Sequence, residues 1–391
     1  MTKPVVIIVD PGCFTPAYDR TLAGSLQRAG WNVELITSEN DFERIVPVPG
    51  VPTRRLFPGS FRRRNWPGSR FARRLHRAAG YPIGLLRLDR RLRGGPPGIL
   101  HVQWSHVPWL ELFFWRRWLR AGWKVVYTMH DVRPLAGTTP QAFAGAYARL
   151  AARANAVVVH YEAARLDLIT MGVDAARVHV ISSGAPNPDD SAPAHGRAPA
   201  RRSLGLGPEA PVVLFFGFVK PYKGLEILLA SLPAVCAGVP DVTLVVAGEI
   251  VGSPARYKRL AARLGVGGAI RWRAGFVPSS DVGDLFAAAD VVVLPYIDGS
   301  WSGVLLTAYA FRRPVVASAV GGIPELVEHG TTGLLVPPGD PAALAAALAA
   351  VLGDRARAEQ MGNCGHALLQ RRHTWHEAVI RLDALYRELA V

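Results

Sequence analysis

Short apolar runs recur along the chain without strict alternation of polar and apolar positions. They are PVVIIVD (4–10), NVELIT (32–37), ILHVQW (99–104), KVVYTMH (124–130), AVVVHY (156–161) and VHVIS (178–182). A second series follows: VVLFF (212–216), VTLVVAG (242–248), AIRWRAGFV (269–277), DVVVLPY (290–296), PVVAS (314–318) and GLLVPP (333–338). A strand with one face in water alternates, whereas a strand covered on both faces reads as a continuous apolar run, so these predict parallel sheets. Helical spacing separates the runs, near 18–29, Leu225–Val235, Tyr257–Leu264 and Ala342–Leu352. The pattern is that of an α/β protein.

Between Ser183 and Pro211 the chain turns to SGAPNPDDSAPAHGRAPARRSLGLGPEA, rich in proline, glycine and charge. Such a stretch reads as a linker or a long surface loop. The predicted organisation is an N-terminal Rossmann-like domain (1–185), a linker (186–210), a second Rossmann-like domain (211–370) and a terminal helix (371–391). That helix carries Trp375, Val379, Leu382, Leu385 and Tyr386 at helical spacing, one stripe with which to dock back. Open parallel sheets bind ligands beyond the carboxyl ends of their strands, so two facing sheets place a site in the cleft between domains.

The 391 residues are 50% apolar and 19% charged, the composition of a globular protein. A formal net charge of +15 changes the picture, because it calls for an acidic partner: nucleic acid, anionic lipid or a phosphorylated ligand. A generally basic protein is the plainer reading. Cys13, Cys236 and Cys364 are scattered, which fits a reducing compartment and neither a disulfide framework nor metal-ligand spacing. The apolar run at the start is too short for a signal peptide, and no stretch reaches the ~18 uninterrupted apolar residues of a spanning helix. The expected location is the cytoplasm, with any membrane contact made from the inner surface.

Candidate chemistry gathers in the second half. In FFGFVKPYKGLEILL (215–229) a strand ends at Gly217, Lys220 and Lys223 follow, and Gly224 opens a helix. Ammonium groups beside a helix start favour an anion, although a solvated lysine pair is an equally common use of the pattern. A second anion site is expected at Ser302, Gly303 and Val304, where glycine admits a ligand to the first free N–H groups of a helix. The dinucleotide glycine fingerprint is absent, which argues against a dehydrogenase.

FFGFVKPYKGLEILLASLPAV, VTLVVAGE, AADVVVLPY and SGVLLTAYAFRRPVVASAVGGIPELVEHGTTGLLVPPGD, in that order, resemble the retaining glycosyltransferases of the GT-B fold, family 4 in particular. The resemblance spans the whole second domain. The first domain is similar more loosely, through KVVYTMHD and the terminal helix. It implies a UDP- or GDP-sugar held mainly by the second domain and a glycan or lipid-linked glycan acceptor held mainly by the first.

By the same resemblance Lys220 and Lys223 sit on the donor diphosphate, with Lys220 standing in for an arginine that many members carry at the position of Phe218. His130 matches the histidine that contacts the transferring sugar, with Asp131 beside it on the acceptor side. Gly12 lies in the turn over the diphosphate. Phe276 and Val277 fall in the loop that passes the base, with Gly217, Gly248 and Glu249 near the same donor face. No Asp-x-Asp element stands at a strand end, so metal-independent transfer without a cofactor is expected. Cations and backbone dipoles then stabilise the leaving diphosphate.

Two glutamates that most members place across the turn into the helix after Ser302 are replaced by Gly299 and Thr307. The first usually meets sugar hydroxyls and the second ribose. Thr307 keeps one hydroxyl, Asp298 stands one residue from the first position, and Glu325 plays a different part. Retention does not need a protein carboxylate as base if a diphosphate oxygen takes the acceptor proton.

Arginines crowd 54–93, interleaved with Phe57, Phe61, Trp66 and Phe71. In WLELFFWRRWLRAGW (109–123), Leu110, Phe113, Phe114 and Trp118 stand among Arg116, Arg117 and Arg120. Basic segments with aromatics suit an anionic membrane surface, at about 1 kcal/mol per nearby cation. A solvated insertion (54–93) and a core helix (109–123) are the alternatives. No nucleic-acid motif accompanies them, so no nucleic acid is expected. The rival functions are a sugar-nucleotide epimerase, which needs acids for proton transfer, and a non-catalytic nucleotide-sugar or glycan binder. Polysaccharide or glycolipid assembly is the expected setting.

Overall fold

A computed structural model describes residues 3–38, 46–57, 70–133, 144–185 and 196–390, with backbone alone for 70–79 and 144. The chain divides into two compact units. One runs to Gly184 and includes the terminal helix from Trp375; the other runs from Ala185 to Thr374.

In the first unit the strands are β1 (Val5–Asp10), β2 (Asn32–Thr37), β3 (Thr53–Arg55), β4 (Ile99–Val102), β5 (Lys124–Thr128), β6 (Ala156–Val159) and β7 (Val178–Val180). They pair in parallel in the order β3-β2-β1-β4-β5-β6-β7. In the second unit β8 (Val212–Phe216), β9 (Thr243–Gly248), β10 (Ile270–Ala274), β11 (Val291–Leu294), β12 (Val315–Ser318) and β13 (Gly333–Val336) pair in the order β10-β9-β8-β11-β12-β13. All of these pairings are parallel too. The unbroken apolar runs have their cause here: in β1, Val6, Ile7 and Ile8 are all fully buried because both sheet faces are covered.

The terminal helix Trp375–Ala390 packs Val379, Leu382, Leu385 and Tyr386 into the same core cluster as Val6, Ile8 and Leu22. Tyr386 is fully buried and its hydroxyl lies 2.5 Å from Nδ1 of His101 on β4. Asp383 accepts from Lys3 Nζ and Trp31 Nε1, both at 2.8 Å. The stripe is thus pinned at both edges by polar contacts.

Two stretches differ from their sequence reading. The predicted linker (186–210) includes a helix, Arg197–Ser203, and residues 186–195 lie outside the described residues. That helix is anchored because Arg201, 1% exposed, donates to Asp290 Oδ2 (2.7 Å) and to the carbonyls of Ala288 (3.1 Å), Gly207 (3.1 Å) and Pro208 (2.6 Å). The arginine-rich stretch 54–93 is not a solvated insertion where it is described. It holds the edge strand β3 and the helix Arg70–Arg93, which buries Tyr81, Leu85, Leu88 and Leu92 at helical spacing. Its Asp89 is also buried, paired with Arg93 and accepting from Trp118 Nε1 at 3.1 Å.

Phe57, expected with the surface aromatics, is 3% exposed and packs on Gly84, where a β-carbon would lie 2.2 Å from its ring. Residues 58–69, with Phe61 and Trp66, and the side chain of Phe71 lie outside the described residues. The helix Pro108–Arg120 is divided by face: Phe114, Trp115 and Trp118 are buried, while Trp109 and Phe113 are exposed beside Arg116, Arg117 and Arg120. No helix among the described residues is long and apolar enough to cross a membrane.

Candidate functional site

In the second unit strand order reverses between β8 and β11, and the carboxyl ends of those strands are where open α/β sheets hold ligands. Backbone meets backbone there. A β-carbon at Gly248 would lie 1.9 Å from the carbonyl oxygen of Gly217, and both glycines have positive φ, 144° and 104°. Packing of β9 on β8 therefore accounts for glycine at 248. A β-carbon at Gly217 would meet Val304 Cγ2 at 3.7 Å, so the start of the helix Gly303–Ala310 lies beside the end of β8.

Lys220 precedes the tight turn Pro221–Lys223, and Gly224, at φ 68°, hands that turn to the helix Leu225–Gly238. Lys223 Nζ donates to the Tyr296 hydroxyl at 2.7 Å and lies 3.9 Å from the centre of that ring. Both ammoniums flank Tyr222, 5.7 Å (Lys220) and 5.6 Å (Lys223) from its ring centre. Two cations thus stand at the switch point, within a few ångströms of one aromatic ring.

Ser302 caps the helix Gly303–Ala310, its Oγ accepting from Leu305 N. Nothing lies within 4 Å of a β-carbon placed on Gly303, so no packing demands glycine there and the helix start is open. Thr307 Oγ1 donates to the Gly303 carbonyl at 2.8 Å, so its proton is already used within the helix and it retains only acceptor capacity. Asp298 Oδ1 accepts from the Gly299 N–H at 2.8 Å. A β-carbon at 299 would meet only ordinary contacts, 3.5 Å to Tyr296 and 3.6 Å to Val320, so space does not exclude a side chain. Glu249 has one carboxylate oxygen buried without a hydrogen-bond partner among the described residues. Phe276 and Val277 are half-buried after β10, and Glu325 is exposed on the short helix Ile323–Leu326.

In the first unit the reversal falls between β1 and β4. Asp10 ends β1 fully buried and accepts from the N–H of Gly12 (3.1 Å) and Thr15 (3.2 Å). Gly12 is enforced by its neighbours: a β-carbon would lie 2.7 Å from the Phe14 ring and 2.9 Å from His106. Asp19 is buried beside Asp10. Burial, then the Asp10 charge, push its carboxyl well above the usual range, so the pair holds a proton.

His130, after β5, stacks on Trp104 at 4.7 Å and meets the edge of Tyr18 at 5.1 Å. Its Nδ1 is 3.1 Å from His160 Nε2, and His160 Nδ1 is 2.9 Å from the Ile181 carbonyl. A carbonyl only accepts, so His160 carries its proton on Nδ1 and accepts on Nε2 from His130 Nδ1–H. The lone pair of His130 is then on Nε2, 3.3 Å from the Gln103 amide. The amide nitrogen of Gln103 is buried without a partner as oriented, and turning the amide over supplies the donor that this lone pair accepts. Burial, then the neighbouring His160 and His101, hold His130 well below the usual imidazole range. The site presents a neutral, oriented ring. Asp131 beside it is exposed.

Burial also lowers His160 to about 4, from an ordinary value near 6.5. Between those values the unfolded chain binds a proton that the folded site refuses, so stability falls as pH drops through this window. His160→Gln is expected to lose about 2 kcal/mol less stability than the parent between pH 7 and pH 5, read by urea unfolding at each pH. Equal losses in both proteins would show that His160 is free to charge.

The sequence reading named Gly217, Lys220, Lys223, Ser302, Gly303 and Val304, and the structure brings these together in the second unit. It named Gly12, His130 and Asp131 in the first. It missed Gln103, Trp104, His160, Tyr18 and the Asp10–Asp19 pair around His130, and Tyr296 beneath Lys223. The available signal was position: ILHVQW, AVVVHY and DVVVLPY each end on polar or aromatic residues just past a strand.

Comparison with known proteins decides the family. The model for glycosyl transferases group 1 matches residues 210–354, and that for the glycosyl transferase 4-like domain matches residues 17–184. A D-inositol 3-phosphate glycosyltransferase of Segniliparus rotundus is 30% identical over 95% of this chain and 83% of its own length. The chain belongs to the glycosyl transferases group 1 family.

Proteins of the same name from Streptomyces bingchenggensis (31% identical over 73% of the chain) and Streptomyces avermitilis (34% over 66%) are matched over 64% and 58% of their own length, under two thirds. Among solved structures, HepE of Anabaena in complex with UDP and glucose has TM-score 0.77 at 21% identity, covering 98% of this chain and all of that one. Sucrose-phosphate synthase of Thermosynechococcus elongatus has TM-score 0.78 at 24% identity, covering 99% of each. Both structures share this chain's fold, the GT-B fold with two Rossmann-like halves.

Proposed function

We propose that this glycosyltransferase moves a sugar from a UDP- or GDP-sugar to a hydroxyl of a glycan or lipid-linked glycan, with retention at the anomeric carbon and without a metal. The observation that carries the reading is the pair Lys220 and Lys223 around Tyr222, at the switch point of the second sheet and beside the open start of the helix Gly303–Ala310. As the bond between the anomeric carbon and the diphosphate oxygen breaks, negative charge grows on the diphosphate. Fixed ammoniums and helix N–H groups stabilise that charge more than they stabilise the ground state. Attack by the acceptor from the face the diphosphate leaves lets a diphosphate oxygen take the acceptor proton, so Gly299 and Thr307 can stand where relatives carry acids.

On the first unit, a sugar or acceptor hydroxyl takes the place of the Gln103 amide and donates to Nε2 of the neutral His130 ring. HepE, of the same fold, was solved with UDP and glucose. A seat at the inner face of an anionic membrane accords with Trp109 (65% exposed) and Phe113 (58% exposed) beside Arg116, Arg117 and Arg120.

The test is incubation with UDP- and GDP-sugars plus lipid-linked glycan acceptors, with D-inositol 3-phosphate as a parallel arm because curated relatives carry it in their names. Acceptor-stimulated release of UDP or GDP, with a product whose anomeric configuration matches the donor, is expected. Release without transfer, an inverted product, or interconversion of donor sugars would contradict it.

A further inference from the structure

At the amino ends of β8, β11 and β12, the edge of the sheet opposite Lys220 and Lys223, lies a cavity of about 100 Å³. The length of β8 puts it about 15 Å from the switch point. Arg197, Arg312, Arg313 and Arg355 line it with Asp290, Glu209 and Glu359, and Arg201 stands behind them. Five guanidiniums therefore face three carboxylates.

The carboxylates are already used. Asp290 takes Arg197, Arg201 and the Val212 N–H (2.8 Å). Glu209 and Glu359 both take Arg355, each at 3.1 Å. Among the described residues Arg312 has the neutral amide of Asn363 alone, at 3.2 Å. Arg313 is the exception that matters: its Nε is buried and has no hydrogen-bond partner among the described residues.

A buried lysine in that position could shed its proton, but a guanidinium cannot. Burial, then the Arg197 charge, hold Arg313 below the usual guanidinium range without discharging it. A partly desolvated cation in a cluster where guanidiniums outnumber carboxylates is stabilised when a further counter-charge joins it. The turn that presents Arg313 is also fixed. Arg312 sits at φ 53°, and a β-carbon at Gly362 would lie 2.1 Å from its carbonyl oxygen, so the helix Arg355–Arg372 clamps it.

We propose that this cavity is a second anion site, distinct from the donor site, which binds a phosphate dianion, free or as the terminal group of a small phosphorylated metabolite, against Arg313 and Arg312. The cavity is lined by fork-shaped donors, which match phosphate oxygens two at a time.

The experiment is a thermal-unfolding and calorimetric titration of the full chain with inorganic phosphate and with glycerol 3-phosphate, at ionic strength held constant with chloride. It is repeated in a Lys220→Ala/Lys223→Ala background, which removes phosphate binding at the donor site. Phosphate is expected to raise the unfolding temperature in both proteins, since a ligand of the folded state stabilises it by mass action. Arg313→Gln should weaken phosphate binding at least about tenfold, the worth of one charged hydrogen bond. Without phosphate it should be no less stable than the parent, because it removes a half-buried cation whose Nε has no hydrogen-bond partner among the described residues. A structural arginine would give the reverse, with stability lost at every phosphate concentration and the response unchanged.

If Arg313→Gln does not fold, Arg312→Gln, with its side chain exposed, provides the same reading: weaker phosphate binding supports the site and parental binding overturns it. No phosphate response in the lysine background overturns it as well. Whichever of the two ligands binds more tightly identifies the source of the phosphate group.

Discussion

Lys223→Ala is expected to cut turnover by about 10²- to 10³-fold while leaving the fold intact. Loss of one preorganised donor to a developing oxyanion typically costs that much, about 3–4 kcal/mol of barrier. Lys223 is suited to the role because nothing holds it as a structural cation. Its hydrogen bond is to the neutral Tyr296 hydroxyl and its other contacts are the faces of Tyr296 and Tyr222. Among the described residues no carboxylate pairs with it, so its charge is available to a ligand. Among the described contacts, removing it strands one hydroxyl, that of the buried Tyr296, a loss of about 1–3 kcal/mol. Steady-state kinetics beside circular dichroism separates the two effects, and parental turnover in the variant would remove the lysine from the chemistry.

Gly224→Ala is expected to have the larger effect on stability, about 3 kcal/mol or more. Two costs add. At φ 68° an alanine pays about 1–2 kcal/mol for the left-handed backbone. Its β-carbon would also lie 1.8 Å from the Pro295 carbonyl oxygen, a backbone atom that cannot rotate away. Gly205→Ala is the matched control: φ is 65° and nothing lies within 4 Å of its β-carbon, so only the first cost applies. Urea unfolding of the two variants should differ by at least about 1 kcal/mol. Equal losses would mean that the turn after Lys223 relaxes away from β11 freely, and Lys223 would then not be held in place.

Both predictions rest on a turn that the sequence made legible, and the contrast with what it hid is instructive. The strands could be read because parallel strands are buried on both faces, which leaves VVIIVD and VVLFF as short unbroken runs of β-branched and aromatic residues. The helix Arg70–Arg93 could not, because Arg87, Arg90, Arg91 and Arg93 crowd the stripe of Tyr81, Leu85, Leu88 and Leu92, and the exposed Ile83 and Leu86 blur its period. Arg201 hid for the opposite reason: a lone arginine in proline-rich text looks solvated until Asp290 arrives from 89 residues away.

The site divides in the same manner. Lys220, Lys223 and Gly224 are adjacent in the chain and announce themselves. The partners of His130 come from two other strand ends: Gln103 and Trp104 after β4, and His160 after β6. Which strands are neighbours is decided by sheet order, which chain order does not reveal. His130 itself was legible only through the resemblance, since a histidine ending a strand has many uses.

The most direct measurement is a calorimetric comparison of UDP and GDP with their nucleosides, on the parent and on Lys220→Ala/Lys223→Ala. If the two ammoniums hold the diphosphate, the diphosphate that binds should exceed its nucleoside by about a hundredfold in affinity, and the double variant should erase most of that gap. A double variant that keeps the parent's preference for diphosphate over nucleoside would contradict the account.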